Sequence, residues 1–175
     1  MKKGFTMIAL IFVIVILGIL ASVAIPRLAA TRTDAEIAAT VANLRTLLND
    51  VASYYAVKGE FGTTVKWKDI TNVPLKNADR PAAVGGKDND GILKVGDQDC
   101  ILVALRDRTV TATGSVIPAY IVFLKKSGDD VGDVCTQVQN AAPVQAYFDS
   151  RVENLDLGNG TNKGAIAIGS STTIY

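Results

Sequence analysis

Histidine is absent from the chain. That removes the commonest general base and the commonest metal ligand, so serine hydrolase, metallohydrolase and phosphoryl-shuttle readings lose their usual centre. Net charge is also nearly absent, at +1 with 18 Lys and Arg against 17 Asp and Glu. A near-neutral balance supplies no electrostatic footprint for nucleic acid. Cysteine is scarce, with two residues, Cys100 and Cys135. The most localised absence is of charge. Gly4 to Pro26 (GFTMIALIFVIVILGILASVAIP) holds no ionisable side chain, and no acid occurs from Phe5 to Thr33.

What that stretch does hold is a continuous apolar helix former. A helix of its length rises roughly 33 Å, enough to cross a bilayer core. The run is too long for a signal-peptide h-region, and an A-x-A-like cleavage site is hard to place because Ala21 to Pro26 continues straight into helix-forming sequence. Lys2 and Lys3 favour a cytoplasmic N-terminus with the remainder outside, a bias that Arg27 and Arg32 oppose. Pro26 favours a kink, and Gly18 and Ser22 add weak points on the same side of the helix.

Beyond Pro26 the pattern turns amphipathic. Ile37, Val41, Leu44, Leu48, Val51 and Tyr55 recur at spacings of three and four, and Lys58-Gly59 is a helix stop. The spacing predicts one helix from about Phe5 to Lys58, roughly 80 Å long. Its first half is apolar all round, and its second half needs a surface to cover one face. About 150 residues lie outside the apolar stretch, which suits one domain.

The stretch 60–99 carries turn-forming Gly, Asp, Asn and Pro, and is expected to be a long loop with one strand at 92–95. CILVAL (100–105) and AYIVFL (119–124) predict neighbouring antiparallel strands. Residues 127–133 predict a turn, Pro143 the start of a helix to about Val152, and 164–168 a last strand. The expected class is α+β, a small antiparallel sheet laid on the amphipathic half of the long helix. In an exported domain the even cysteine count suggests a Cys100–Cys135 disulfide, for which chain entropy estimates about 4 kcal/mol. The alternative is two free thiols in a reducing compartment.

Lys2-Lys3-Gly4-Phe5-Thr6-Met7-Ile8, followed by the unbroken apolar run with Gly18 and Pro26, resembles the N-terminus of type IV pilins and their pseudopilin relatives. The likeness covers about 55 residues; the remainder agrees only in general form. It implies a leader at 1–4, a long helix at 5–58 (5–28 membrane or filament core, 29–58 amphipathic) and a globular pilin domain at 59–175. It implies cleavage between Gly4 and Phe5 by a prepilin peptidase, N-methylation of Phe5, and storage in the bacterial inner membrane before polymerisation. The partners implied are further copies, other pilins, an inner-membrane assembly platform and the lipid bilayer, with a final place in a periplasmic or cell-surface filament. Small residues including Ala9, Gly18, Ala21, Ser22 and Ala24 would let packed helices approach closely.

One position departs from the family. Ala9 stands where a glutamate is usual, a carboxylate that pairs with the N-terminal ammonium of a neighbouring subunit. A carboxylate in the bilayer costs roughly 2.5–3.5 kcal/mol, and an unpaired buried charge about 3–5 kcal/mol. Ala9 therefore eases storage in lipid and weakens assembly. A variant of a major pilin, a minor or tip subunit, and sufficiency of hydrophobic packing each account for it. The pseudopilin of a type II secretion system and a membrane-anchored periplasmic binding module are the competing functions.

Other chemistry finds little support. Asp88, Asp90, Asp97, Asp99, Asp129, Asp130 and Asp133 sit in turn-rich sequence. Asp129, Asp130 and Asp133 are kept as a calcium option, against the simpler reading of solvated turn acids. No other cofactor is expected. Ser115, Ser127 and Ser150 have no histidine to activate them, and Gly85-Gly86-Lys87 lacks the rest of a phosphate loop. No enzyme activity is expected. Tyr54, Tyr55 and Trp67 are expected to pack the helix end against loop and sheet.

Overall fold

Helix α1 spans Met7–Lys58. Its stop is local chemistry: Gly59 takes the left-handed conformation at φ 77°, and its N–H donates to the Tyr55 carbonyl at 2.8 Å. A residue with a Cβ would pay for that conformation. The computed structural model describes residues 6–78, 91–110, 112, 114–128, 131–152 and 163–169, apart from the side chains of 26–30. The chain divides into two compact units, Met1–Ala35 and Glu36–Tyr175.

In the first unit, Met7–Ile25 is long and apolar enough to cross a membrane, and none of it is buried. Met7, Ile8 and Phe12 expose 79%, 80% and 65% of their surface, so the segment presents a large contiguous apolar surface of the kind that marks a membrane or protein contact.

The second unit contains the end of α1, α2 (Trp67–Ile70), α3 (Asp133–Asn140), α4 (Ala142–Asp149) and strands β1 (Leu75–Lys76), β2 (Gly91–Val95), β3 (Gln98–Arg106), β4 (Thr109–Val110), β5 (Val116–Ile117), β6 (Tyr120–Lys125) and β7 (Ala165–Ala167). Five strands form one antiparallel sheet in the order β1-β2-β3-β6-β7, and β4 and β5 form a separate two-stranded ribbon. The class is α+β.

The apolar runs at 100–105 and 119–124 do pair antiparallel. The register sets Ile101 against Lys125 and Arg106 against Tyr120. Period-2 alternation then sends Ile101, Val103, Leu105, Ile121 and Phe123 into the main core with α1. Ala104, Tyr120 and Val122 join Val152 and Ala165 in a smaller cluster on the other face.

The buried face of α1 differs from the one its spacing suggests. Thr40, Leu44, Leu47 and Val51 are the buried positions, while Ile37, Val41, Leu48 and Tyr55 are partly covered along one flank. The 40-44-47-51 spacing of four, three and four is the seam that a helix lays on a sheet. Thr40 is tolerated there because its hydroxyl donates to the Glu36 carbonyl at 2.7 Å.

Three expectations need correction. The stretch 60–99 is not a loop with one strand, since it also contains α2, β1 and the first residues of β3. Trp67 nucleates the first of these by burying its indole completely. A Cβ at Gly91 would meet Leu75 Cδ1 at 2.9 Å and Trp67 Cε2 at 3.0 Å, so glycine is what lets the indole lie on β2. The turn at 127–133 ends where Asp133 opens α3, a helix whose short apolar pattern carries no early signal. The helix after Pro143 starts at Ala142 and stops at Asp149, short of Val152.

Candidate functional site

The apolar helix segment is the first candidate. Thr6 precedes α1, and its Oγ1 accepts the Ala9 N–H at 3.4 Å, which makes Ala9 the third helical residue under an N-terminal threonine. Ala9 is partly exposed. A Cβ built at Gly18 would meet nothing within 4 Å, so that notch on the helix is open. Ser22 donates its hydroxyl to the Ile19 carbonyl at 2.8 Å. Its polar atom is satisfied within its own helix, which keeps it compatible with lipid or with another helix. Pro26 lies within α1. Gly4 and Phe5 lie outside the described residues.

The second candidate is the cysteine pair. Cys100 and Cys135 form a disulfide with a Cα–Cα separation of 5.5 Å. Both are fully buried, at the start of β3 and in the first turn of α3. Polar groups that sequence reading did not single out lock the same corner. Gln139, buried on α3, donates through Nε2 to the carbonyls of Cys100 at 2.8 Å and Lys126 at 3.0 Å. Gln98 accepts the Cys135 N–H at 3.3 Å. The Cys100 carbonyl also accepts the Lys126 N–H at 3.0 Å, so the Gln139 amide is a second donor to it, while Gln98 satisfies an N–H in the first turn of α3.

Asp107 is a further residue missed by local pattern. Its two carboxylate oxygens accept the N–H groups of Phe61 at 2.8 Å and Gly62 at 3.1 Å. Charge-assisted bonds of this kind pin the chain leaving α1 to the end of β3. Phe61 is thereby placed against Tyr55 at 5.1 Å and Tyr54 at 6.4 Å between ring centroids. The tyrosines at the helix end thus meet Phe61 as their ring partner, and Trp67 lies in the same core. Asp50 on α1 accepts the Thr71 hydroxyl at 2.6 Å, and the Thr71 oxygen in turn accepts the Val73 N–H at 3.1 Å. No sequence signal ties residues so far apart in the chain.

Tyr120 is a side chain whose acidity is displaced. Burial raises its pKa above the ordinary 10.0, against a smaller lowering by the Arg106 guanidinium opposite it on β3. Of the calcium option, Asp129 and Asp130 lie outside the described residues, as do Asp88 and Asp90, and Asp133 is the first residue of α3. Among the described residues, no three His, Cys, Asp or Glu side chains gather as a metal site would require. Ser150 donates to the Tyr147 carbonyl at 2.6 Å, an end-of-helix contact.

Two surface concavities belong to the second unit. One, of about 310 Å³, is walled by Tyr55, Val116, Pro118, Ala119 and Ile168, with Arg108 as its charged lining residue. The other, of about 320 Å³, lies beside Asp50, Ser53, Tyr54, Val57 and Lys58. No family model, curated protein or solved structure matches this chain, and the functional reading rests on the residues themselves.

Proposed function

We propose that this chain is a structural subunit of a type IV pilin-like filament, held in a membrane by its N-terminal helix until it polymerises through that helix. The supporting observation is the apolar segment Met7–Ile25, none of which is buried. A side-chain surface of this kind has two stable fates, lipid or burial against copies of itself. The leader-like residues Lys2-Lys3-Gly4-Phe5 favour a chain that passes from the first fate to the second. The α+β unit closed by Cys100–Cys135 supplies what such a filament displays outside the membrane, and the disulfide suits an oxidising compartment.

On this reading prepilin peptidase cuts between Gly4 and Phe5, and Phe5 is N-methylated. Gly18 and Ser22 provide the close-approach surface of the helix core. Ala9 leaves the new N-terminal ammonium without the carboxylate that relatives of this class offer it, which fits a minor or tip position as well as a weakened major subunit.

The test is N-terminal sequencing and intact mass of the mature chain from cells that carry a pilus assembly system, alongside electron microscopy of the sheared fraction. The expected result is a protein beginning at Phe5 and present in filaments. A mature chain that keeps Met1 to Gly4 and stays in the membrane fraction refutes the filament reading. It would indicate a membrane-anchored periplasmic module instead.

A further inference from the structure

The Cys100–Cys135 bond can meet a soluble thiol only if part of the fold moves. Both cysteines are 0% exposed, and thiol–disulfide exchange needs a thiolate to reach a sulfur. The bond joins the start of β3 to the first turn of α3, so one of these must leave the other. Their holds are unequal. β3 is a central strand, paired with β2 on one side and β6 on the other. It sends Ile101, Val103 and Leu105, all fully buried, into the main core. α3 has 8 residues, too few for a helix to persist by itself in water. Its N-cap is Gly132, without a side-chain cap, and the side chains it buries are Cys135, Val138 and Gln139.

Polar bonds therefore supply much of what fixes α3 in place. Gln139 donates to the Cys100 and Lys126 carbonyls, and Gln98 accepts the Cys135 N–H. A Cβ at Gly132 would collide with the Gln98 amide, so glycine is what lets Gln98 lie across the start of the helix. α4 is anchored separately. Its Val144 and Phe148 are buried in the core, and Tyr147 meets Phe123 edge-on at 5.6 Å between ring centroids. Ala141, extended at φ −66° and ψ 131°, is the C-cap of α3 and the N-cap of α4. That break in the helical backbone lets α3 move while α4 stays.

We propose that α3 is a redox latch: it lifts from the end of the sheet as a local unit hinged at Ala141, and the Cys100–Cys135 bond exchanges with a dithiol only in that open form. Gln98 and Gln139 are positioning residues that set how often the latch opens. In the exchange, a thiolate of the dithiol attacks one sulfur of the bond, forms a mixed disulfide and releases the other cysteine as a thiolate. The second thiolate of the dithiol then displaces the first cysteine. Two electrons pass from the dithiol, which ends as a disulfide, to the cysteine pair, which takes up the two protons that the dithiol loses. The reverse steps, with a disulfide as oxidant, close the bond before α3 docks. The latch does not depend on the filament reading.

The test is reduction of the full chain in mild detergent by dithiothreitol, with free thiols alkylated at intervals and counted by mass. The wild-type rate is followed across urea concentrations below the unfolding transition. A local opening exposes little surface, so the expected rate is nearly flat in urea, whereas exchange through global unfolding climbs steeply. Gln139→Leu removes both amide bonds and is expected to speed reduction about tenfold. Leu47→Ala, on α1, is expected to leave the rate within about twofold of wild type, because its loss falls on the global fold and not on the latch. A wild-type rate that climbs as steeply as global unfolding, or a Leu47→Ala chain reduced faster than Gln139→Leu, places the exchange in the unfolded chain and overturns the latch. Equal rates for wild type and Gln139→Leu overturn the part given to the glutamine. A bond that dithiothreitol leaves intact in the folded chain overturns the proposal as a whole.

Discussion

Replacing Leu47 by alanine tests which face of α1 carries the domain. Leu47 is fully buried in the core that α1 forms with the sheet, whereas Leu48 is only partly covered. Truncation at 47 removes about three buried carbons, worth about 2.4 kcal/mol in transfer. A cavity term brings the loss to about 3–4 kcal/mol. At Leu48 about half the transfer term applies and no closed cavity forms, so the loss is about 1 kcal/mol. With a urea slope of about 2 kcal/mol/M, the midpoint falls by about 1.5–2 M for Leu47→Ala and about 0.5 M for Leu48→Ala. The assay is urea unfolding of the full chain in mild detergent, with the disulfide intact, followed by fluorescence. The chain's one tryptophan, Trp67, is completely buried in the same core and reports its opening. Equal losses at the two positions, or a larger one at Leu48, would refute the assignment of the buried seam.

Gly164→Ala is expected to destabilise by about 2–4 kcal/mol, measured by the same unfolding. Its φ is +82°, and a Cβ there would run into the Phe123 carbonyl oxygen. Asp107→Asn should cost about 1–2 kcal/mol, because an amide offers one acceptor where Phe61 and Gly62 use two; amide exchange at those two residues should quicken selectively. Tyr120 has a raised pKa through burial, so its neutral form is the one the fold favours. Its contribution is fully present below the unfolded value near 10 and is lost as pH rises through the folded value. Stability of wild type should therefore fall more steeply than that of Tyr120→Phe above about pH 10, as read by thermal melts. Ala9→Glu should raise the yield of sheared filaments. The new acid joins Thr6 in a capping box at the start of α1 and offers a carboxylate to a neighbouring N-terminus; equal yields on blots would contradict this.

Much of the fold could be read locally. The end of α1 at Lys58 followed from a single Gly59, and the β3–β6 pair from two apolar runs, because backbone conformation and strand alternation are set by near neighbours. The apolar segment at the N-terminus needed only composition. The disulfide was expected from an even count of two behind an apolar N-terminal segment, with two free thiols as the alternative, and the fold closes it.

The remainder waited for long-range contacts. The spacing 37-41-44-48-51-55 names a helix with an apolar side, but whether Leu47 or Leu48 is innermost depends on where the sheet meets it. The α2 turn exists because Trp67 finds Gly91, far along the chain, and Asp107 reaches back 46 residues to Phe61. The third helix and its Gln139 exist as a clasp on a carbonyl of Cys100. Sequence alone determined that this chain carries an uncovered apolar helix, a stop after it and a strand pair, since these are properties of neighbouring residues. Tertiary structure decided which helix face is buried, what occupies 60–78 and 91–99 and which polar groups hold the corners, since those depend on partners that only folding brings within reach.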